Sequence, residues 1–142
     1  MNLFNAVSRS TLCYGAQAWG YKKYDQVDQI QRYFAKKILS LPKNTPNYVI
    51  NLECGLRPIT IFALKLHLNY LCNVMSNYHD NRLPKRIINH IRVNEGYLWK
   101  FWLDIGNKGN VNWLDDSVSL SSKVQKVVDF LVQDSINESY SY

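Results

Sequence analysis

The sequence predicts an all-α fold, an irregular bundle of about six or seven helices. Three observations point there. Apolar residues recur at helical spacing in the long segments. Gly, Pro and Asn clusters separate those segments. The one run that alternates like a strand, beginning at Ile59-Thr60-Ile61, continues far beyond the roughly 4–8 residues a strand uses. A chain of 142 residues that is 46% hydrophobic can bury a core, which excludes wholesale disorder.

Residues 2–19 read as a helix, with Leu3, Phe4, Val7 and Leu12 apolar and Tyr14 and Trp19 near its end. Gly15 reads as a site of close helix packing and Gly20 as a stop. Residues 25–41 carry the cleanest signal: Val27, Ile30, Phe34, Ile38 and Leu41 fall on one helical face. Asp25 at its start and Lys36 and Lys37 near its end suit the helix dipole, and Pro42 stops it. Thr45-Pro46 then reads as N-cap and first helical residue of a short helix ending at Gly55, a left-handed cap.

Residues 58–76 predict a helix buried on most sides, with Lys65, Asn69, Asn73 and Ser76 as its polar stripe. Residues 83–93 repeat the amphipathic pattern, with Pro84 in the first turn and Leu83, Ile87 and Ile91 recurring every four beside Ile88. Tyr97, Leu98, Phe101, Trp102 and Ile105 predict a short aromatic helix, and Gly106 to Asn110 a turn. Leu120, Val124, Val127, Val128 and Leu131 predict a last helix, capped by Asp116 or Ser117. The polar residues 135–142 read as frayed. The expected organisation is a helical domain over 1–95, with an aromatic helix, turn and C-terminal helix over 96–142 packed on it.

Several function classes are excluded by what the chain lacks. No Gly-x-Ser-x-Gly, phosphate loop or suitably placed Cys–His pair is present, so no catalytic residue is assigned. His67, Cys72, His79 and His90 lack the paired spacing of a zinc site, and no metal or cofactor is implied. Cys72 reads as core and His67 as a helix-surface or interface residue. Glu53 stands near a helix end as a cap or a partner of Arg57. The most apolar run, Ile59 to Met75, is broken by Lys65, His67, Asn69 and Asn73, which argues against a membrane span. Three unpaired-looking cysteines and no apolar leader before Arg9 point to an intracellular protein, nuclear or cytoplasmic. No small-molecule ligand is expected.

The charge distribution is the positive clue. Residues 1–100 hold 14 Lys and Arg against 5 Asp and Glu, whereas residues 101–142 hold 3 against 6. A basic body suits a polyanion such as nucleic acid, or simply keeps surface helices solvated. The candidate phosphate contacts are Lys22, Lys23, Arg32, Lys36, Lys37 and Lys43, and Lys85, Arg86 and Arg92 on the later helix. If about six of them met phosphates, binding to duplex would fall with salt at a log–log slope of about −5.

Four motifs in order give a more specific lead. They are Leu12-x-Tyr14-Gly15-Ala16-x-x-Trp19-Gly20, Ile30-Gln31-Arg32-x-Phe34-x-Lys36-Lys37-Ile38-Leu39, Leu41-Pro42 with Thr45-Pro46-Asn47-Tyr48, and Glu53-x-Gly55-Leu56-x-Pro58. Together they resemble the region just after the catalytic core in non-LTR (LINE-type, jockey-like) retrotransposon reverse transcriptases, over roughly Leu3 to Ile91. The resemblance implies a thumb-like helical element that grips an RNA–DNA template–primer duplex and does no chemistry itself. It implies that the basic helices face the duplex backbone, and that Tyr14 and Trp19 pack the thumb core or its junction with the palm. Trp113-Leu114-Asp115-Asp116 superficially matches the aromatic-x-Asp-Asp turn of those polymerases. There the pair lies upstream of the Tyr-Gly-x-x-x-Trp-Gly block, so Asp115 and Asp116 read instead as helix caps. The expectation is therefore a non-catalytic fragment of an RNA-directed DNA polymerase, its partners a nucleic acid and the missing palm and fingers. The alternative is a helical protein-interaction module whose exposed apolar surface docks such a partner.

Overall fold

The computed structural model describes residues 4–115 and 117–141. Among them are eight α-helices and no strand, so the fold is all-α with one helix more than the upper expectation. The helices are α1 (Arg9–Leu12), α2 (Ala16–Trp19), α3 (Asp25–Ile38), α4 (Asn47–Glu53), α5 (Ile59–Asn77), α6 (Leu83–Val93), α7 (Tyr97–Lys108) and α8 (Leu120–Tyr140). The chain divides into two compact units. One comprises the residues up to His67 together with those from Leu131 onward, and the other is Leu68–Phe130. The boundary expected at residue 95 falls inside the second unit, and α5 and α8 each contribute to both.

The expected helix over 2–19 is broken. A π-helical turn at Phe4–Ser8 leads into α1, and a turn at Cys13–Gly15 separates α1 from α2. Asn2 and Leu3 lie outside the described residues. Gly20 follows the last residue of α2, the stop expected of it, whereas Gly15 is not the close-packing residue expected. Gly15 has φ +70°, a left-handed conformation that a Cβ disfavours, and it makes the break. Gly20 is the packing glycine, because a Cβ there would collide with the backbone oxygens of Ala63 and Ala16. The helix α5 thus approaches the end of α2 at backbone distance. Around this approach Cys13, Ala16, Ile59 and Ala63 form a buried cluster, flanked by Leu12, Trp19, Val27, Phe34, Phe62 and Leu66. Trp19 packs against it, its Nε1–H donating to the Tyr14 carbonyl at 3.0 Å. The Tyr14 ring is 87% exposed and lies outside this core.

Four helices end in one way. Leu41, Leu56, Gly96 and Val111 each donate a backbone N–H back to Lys36, Asn51, Ile91 and Gly106, at 2.9, 3.0, 2.9 and 2.7 Å. The residue before each donor is left-handed: Ser40, Gly55, Glu95 and Asn110. This satisfies carbonyls that a helix end leaves orphaned. Gly55 fills the role its type suggests. At α3 the same device uses Ser40, so the helix stops at Ile38 and not at the expected Leu41; Pro42 lies past a helix already ended. Thr45 does not cap α4, because its hydroxyl donates back to the Pro42 carbonyl at 2.8 Å and closes a turn. Pro46 occupies the N-cap position with extended backbone instead of the first helical position.

The faces of two helices also differ from expectation. On α3 the buried side chains are Asp28, Gln31 and Ala35, while Ile30 and Ile38 of the apolar row are 47% and 59% exposed. On α6 only Ile88 is buried, and Leu83 and Ile87 are largely exposed. The helix α5 follows its pattern, with Lys65 half-buried and Asn69, Asn73 and Ser76 exposed.

In the second unit α7 runs to Lys108, three residues into the expected turn. Gly106 lies inside it, buried under Trp113, whose Nε1–H donates to the Trp102 carbonyl at 2.6 Å. The Trp99 and Trp102 rings meet edge to face at 6.3 Å. Lys123 on α8 is buried, its Nζ donating to the carbonyls of Trp113 and Asp115. That pins the loop before α8 to the helix. Ser119, not Ser117, caps α8 through the Ser122 N–H, and Asp116 lies outside the described residues. The expected frayed end is helical to Tyr140, with Ser139 buried.

Candidate nucleic-acid interface

Two surface cavities in the first unit bring the sequence-predicted cations together with residues that no motif singled out. The first is an open groove of about 890 Å³ along α3 and the loop after it. Arg32, Lys36, Lys37 and Lys43 line it, together with Gln29, Tyr33 and Asn47, and no carboxylate does. The helical period explains five of these positions: residues 29, 32, 33, 36 and 37 fall on one side of α3. The left-handed Ser40 then turns the chain so that Pro42 and Lys43 close the groove.

The four cations are not equivalent. Lys36 donates to the Lys43 carbonyl at 2.9 Å and so holds the loop in place. Lys37 lies 5.9 Å over the Tyr33 ring. Among the described residues the ion pairs are Lys85–Asp80 and Lys108–Asp104, so Arg32, Lys37 and Lys43 are in neither. The anticipated Glu53–Arg57 pair is not formed.

The second cavity, a cleft of about 560 Å³, is of mixed charge. Lys22, Lys23 and Arg32 line it, but so do Asp25, Asp28, Asp134 and Glu138. Tyr48, Asn51, Pro58 and Thr60 lie along it, and Arg32 and Asn47 line both cavities. Asp134 and Glu138 come from α8, more than 80 residues beyond α4 in the chain. No local signal in the sequence announces their arrival beside Lys22 and Lys23.

Asp28 is held differently from the other acids. One carboxylate oxygen accepts the Thr60 N–H at 3.2 Å and the other accepts the Thr60 hydroxyl at 2.9 Å. A signal for this existed: Leu56-Arg57-Pro58 contains none of the residues that cap a helix, so the orphan donors at the start of α5 needed a remote acceptor.

The remaining candidates, Lys85, Arg86 and Arg92, lie on α6 in the second unit. Lys85 is half-buried, donating to the Met75 carbonyl at 2.7 Å and lying 3.7 Å from Asp80. Its ammonium therefore joins α6 to the end of α5. Arg86 and Arg92 are exposed.

The groups with chemical potential are structural. His67 is buried, and its Nδ1–H donates to the Gln17 carbonyl at 2.7 Å, beside the Tyr21 ring. Of the two readings anticipated, helix surface or interface, its burial excludes the surface, and burial pushes its pKa below the ordinary 6.5 against the pull of that carbonyl. Burial raises the Cys13 thiol and pushes Cys72 up to about 11. Asp115 accepts the Ser117 N–H at 2.9 Å, which lowers its pKa, so its carboxylate serves an exposed turn. The α3 groove presents positive charge without a lining carboxylate. No helix among the described residues is long and apolar enough to cross a membrane. No protein-family model, curated protein or solved structure matches the chain.

Proposed function

We propose that the first unit holds the phosphate backbone of a nucleic acid in the α3 groove, as the thumb-like, non-catalytic part of a retroelement reverse transcriptase would hold its RNA–DNA template–primer. The observation that carries this reading is four cations around one open groove with no carboxylate among its lining residues. Three of them are in no ion pair among the described residues, and no carboxylate lines the groove they face, so their field there is available to a polyanion. Lysine and arginine on such a groove fix backbone position and read little sequence. The resemblance of the four sequence motifs given above to those polymerases supports the reading.

Binding of the chain to a fluorescent RNA–DNA duplex across a salt series tests the proposal. Four phosphate contacts give a log–log slope of about −3.6. Changing Arg32, Lys37 and Lys43 together to Gln lowers affinity and flattens that slope by about 2.7. Lys36 is left in place because it holds the loop. A folded protein that binds no duplex at low salt would sink the reading.

A second reading has its own observation. Ile30, Ile38, Leu39 and Leu41 leave much of the apolar row of α3 and its following loop exposed, as do Leu83, Ile87 and Val93 on α6. Exposed apolar rows of this kind suit a protein partner such as a polymerase palm.

A further inference from the structure

We infer that the mixed-charge cleft receives an unpaired base, one bearing an exocyclic amine, from a strand whose phosphates lie in the neighbouring groove. This rests on the reading of that groove proposed above. The two cavities share Arg32 and Asn47, so a chain followed out of the groove enters the cleft. Their charges differ in a way that sorts the parts of a nucleotide. The groove has cations alone and attracts phosphate. The cleft has four carboxylates against three cations, which disfavours a second run of phosphates.

What the cleft offers instead is an acceptor-rich wall. Asp134 and Glu138 stand one helical turn apart on α8, and neither is in an ion pair among the described residues. A carboxylate accepts hydrogen bonds and donates none, so it selects base edges that carry an amine. Asn51 adds an amide that can both donate and accept, and Tyr48 a ring at the cleft wall. About 560 Å³ lies within the range of pockets that enclose small ligands. Cytosine, with its N4 amine, meets these acceptors; uracil presents a carbonyl at the same position and meets repulsion.

The test compares labelled oligocytidylate and oligouridylate of equal length, on the order of ten nucleotides, against the whole chain at one low salt concentration. Both are pyrimidine strands of equal charge, so the groove contributes equally to each. The expected result is about ten-fold tighter binding of the cytidine strand. Asp134→Asn with Glu138→Gln brings the two within about two-fold, and circular dichroism confirms that the variant is folded. Asn51→Ala, which leaves both carboxylates, narrows the preference partly. Equal binding of both strands by the wild-type chain would overturn the base pocket and leave the phosphate groove standing. No binding of either strand would overturn both.

Discussion

Asp28 on α3 caps the start of α5: its two carboxylate oxygens take the backbone N–H and the hydroxyl of Thr60, at 3.2 and 2.9 Å. The pair is buried, and it ties together two helices whose residues are 32 apart in the chain. The start of α5 has a positive dipole end, which suits a carboxylate, and no capping side chain in Leu56-Arg57-Pro58 to take the Thr60 N–H. Asp28→Ala should therefore lower stability by about 1–3 kcal/mol, because two buried donors lose their acceptor. Asp28→Asn keeps one acceptor oxygen and should lose less. Urea denaturation measures both, and a cycle with Thr60→Val should show coupling of about 0.5–3 kcal/mol. An Asp28→Ala protein as stable as the wild type would rule the cap out.

His67 predicts a pH dependence of stability. Its pKa is lowered in the folded chain from the ordinary 6.5, by burial first. Between those two values the unfolded chain binds the proton and the folded chain does not. Stability from this group is complete above about 6.5, falls as the pH drops through that value, and levels off below the folded pKa. The slope should not exceed about 1.4 kcal/mol per pH unit. His67→Asn keeps a donor for the Gln17 carbonyl and does not titrate. The difference between wild type and variant in urea midpoint, from pH 8 to about pH 5, isolates the effect. Parallel curves would contradict it.

Two backbone positions should respond in opposite directions. Gly106→Ala drives a Cβ against the Trp113 indole and the Val111 carbonyl, and should lower stability by about 1–3 kcal/mol. The Trp113 to Trp102 bond lies at the same point, so tryptophan emission should shift on melting at a lower temperature. Glu95→Gly relieves a left-handed non-glycine residue at the end of α6, with φ of 47°. The relief of about 1–2 kcal/mol is offset in part by the freer unfolded chain, leaving a gain below about 1 kcal/mol. A loss at Glu95→Gly would mean that the Glu95 side chain is itself needed.

Cys72 should be a slow nucleophile in the folded protein. Raising a thiol from 9.0 to about 11 leaves about a hundredth of the usual thiolate at neutral pH. Burial within α5 slows access further. Alkylation followed by peptide mass spectrometry should find Cys72 labelled at least about 100-fold more slowly in buffer than in denaturant. Equal rates would mean that this part of α5 opens readily.

The sequence by itself determined that the chain is helical and where most helices run. Periodicity of 3.6 residues, and the punctuation by Gly and Pro, are local properties that act on the backbone before any packing. The spans of α3, α5 and α6 were legible on those grounds, as was the left-handed end at Gly55. Tertiary structure alone decided which side of each helix is buried. In α3 the hydrophobic row predicted one face, but the need of α5 for a cap drew Asp28 inward and left Ile30 and Ile38 outside. The groove followed the same division: Arg32, Lys36 and Lys37 were placed by helical spacing, while Lys43 depended on a left-handed Ser40. Asp134 and Glu138 reached the cleft only because the end of α8 returns to the first unit. Such long-range neighbours carry no periodic signature, so burial and charge pairing are settled by the fold and not by the order of residues.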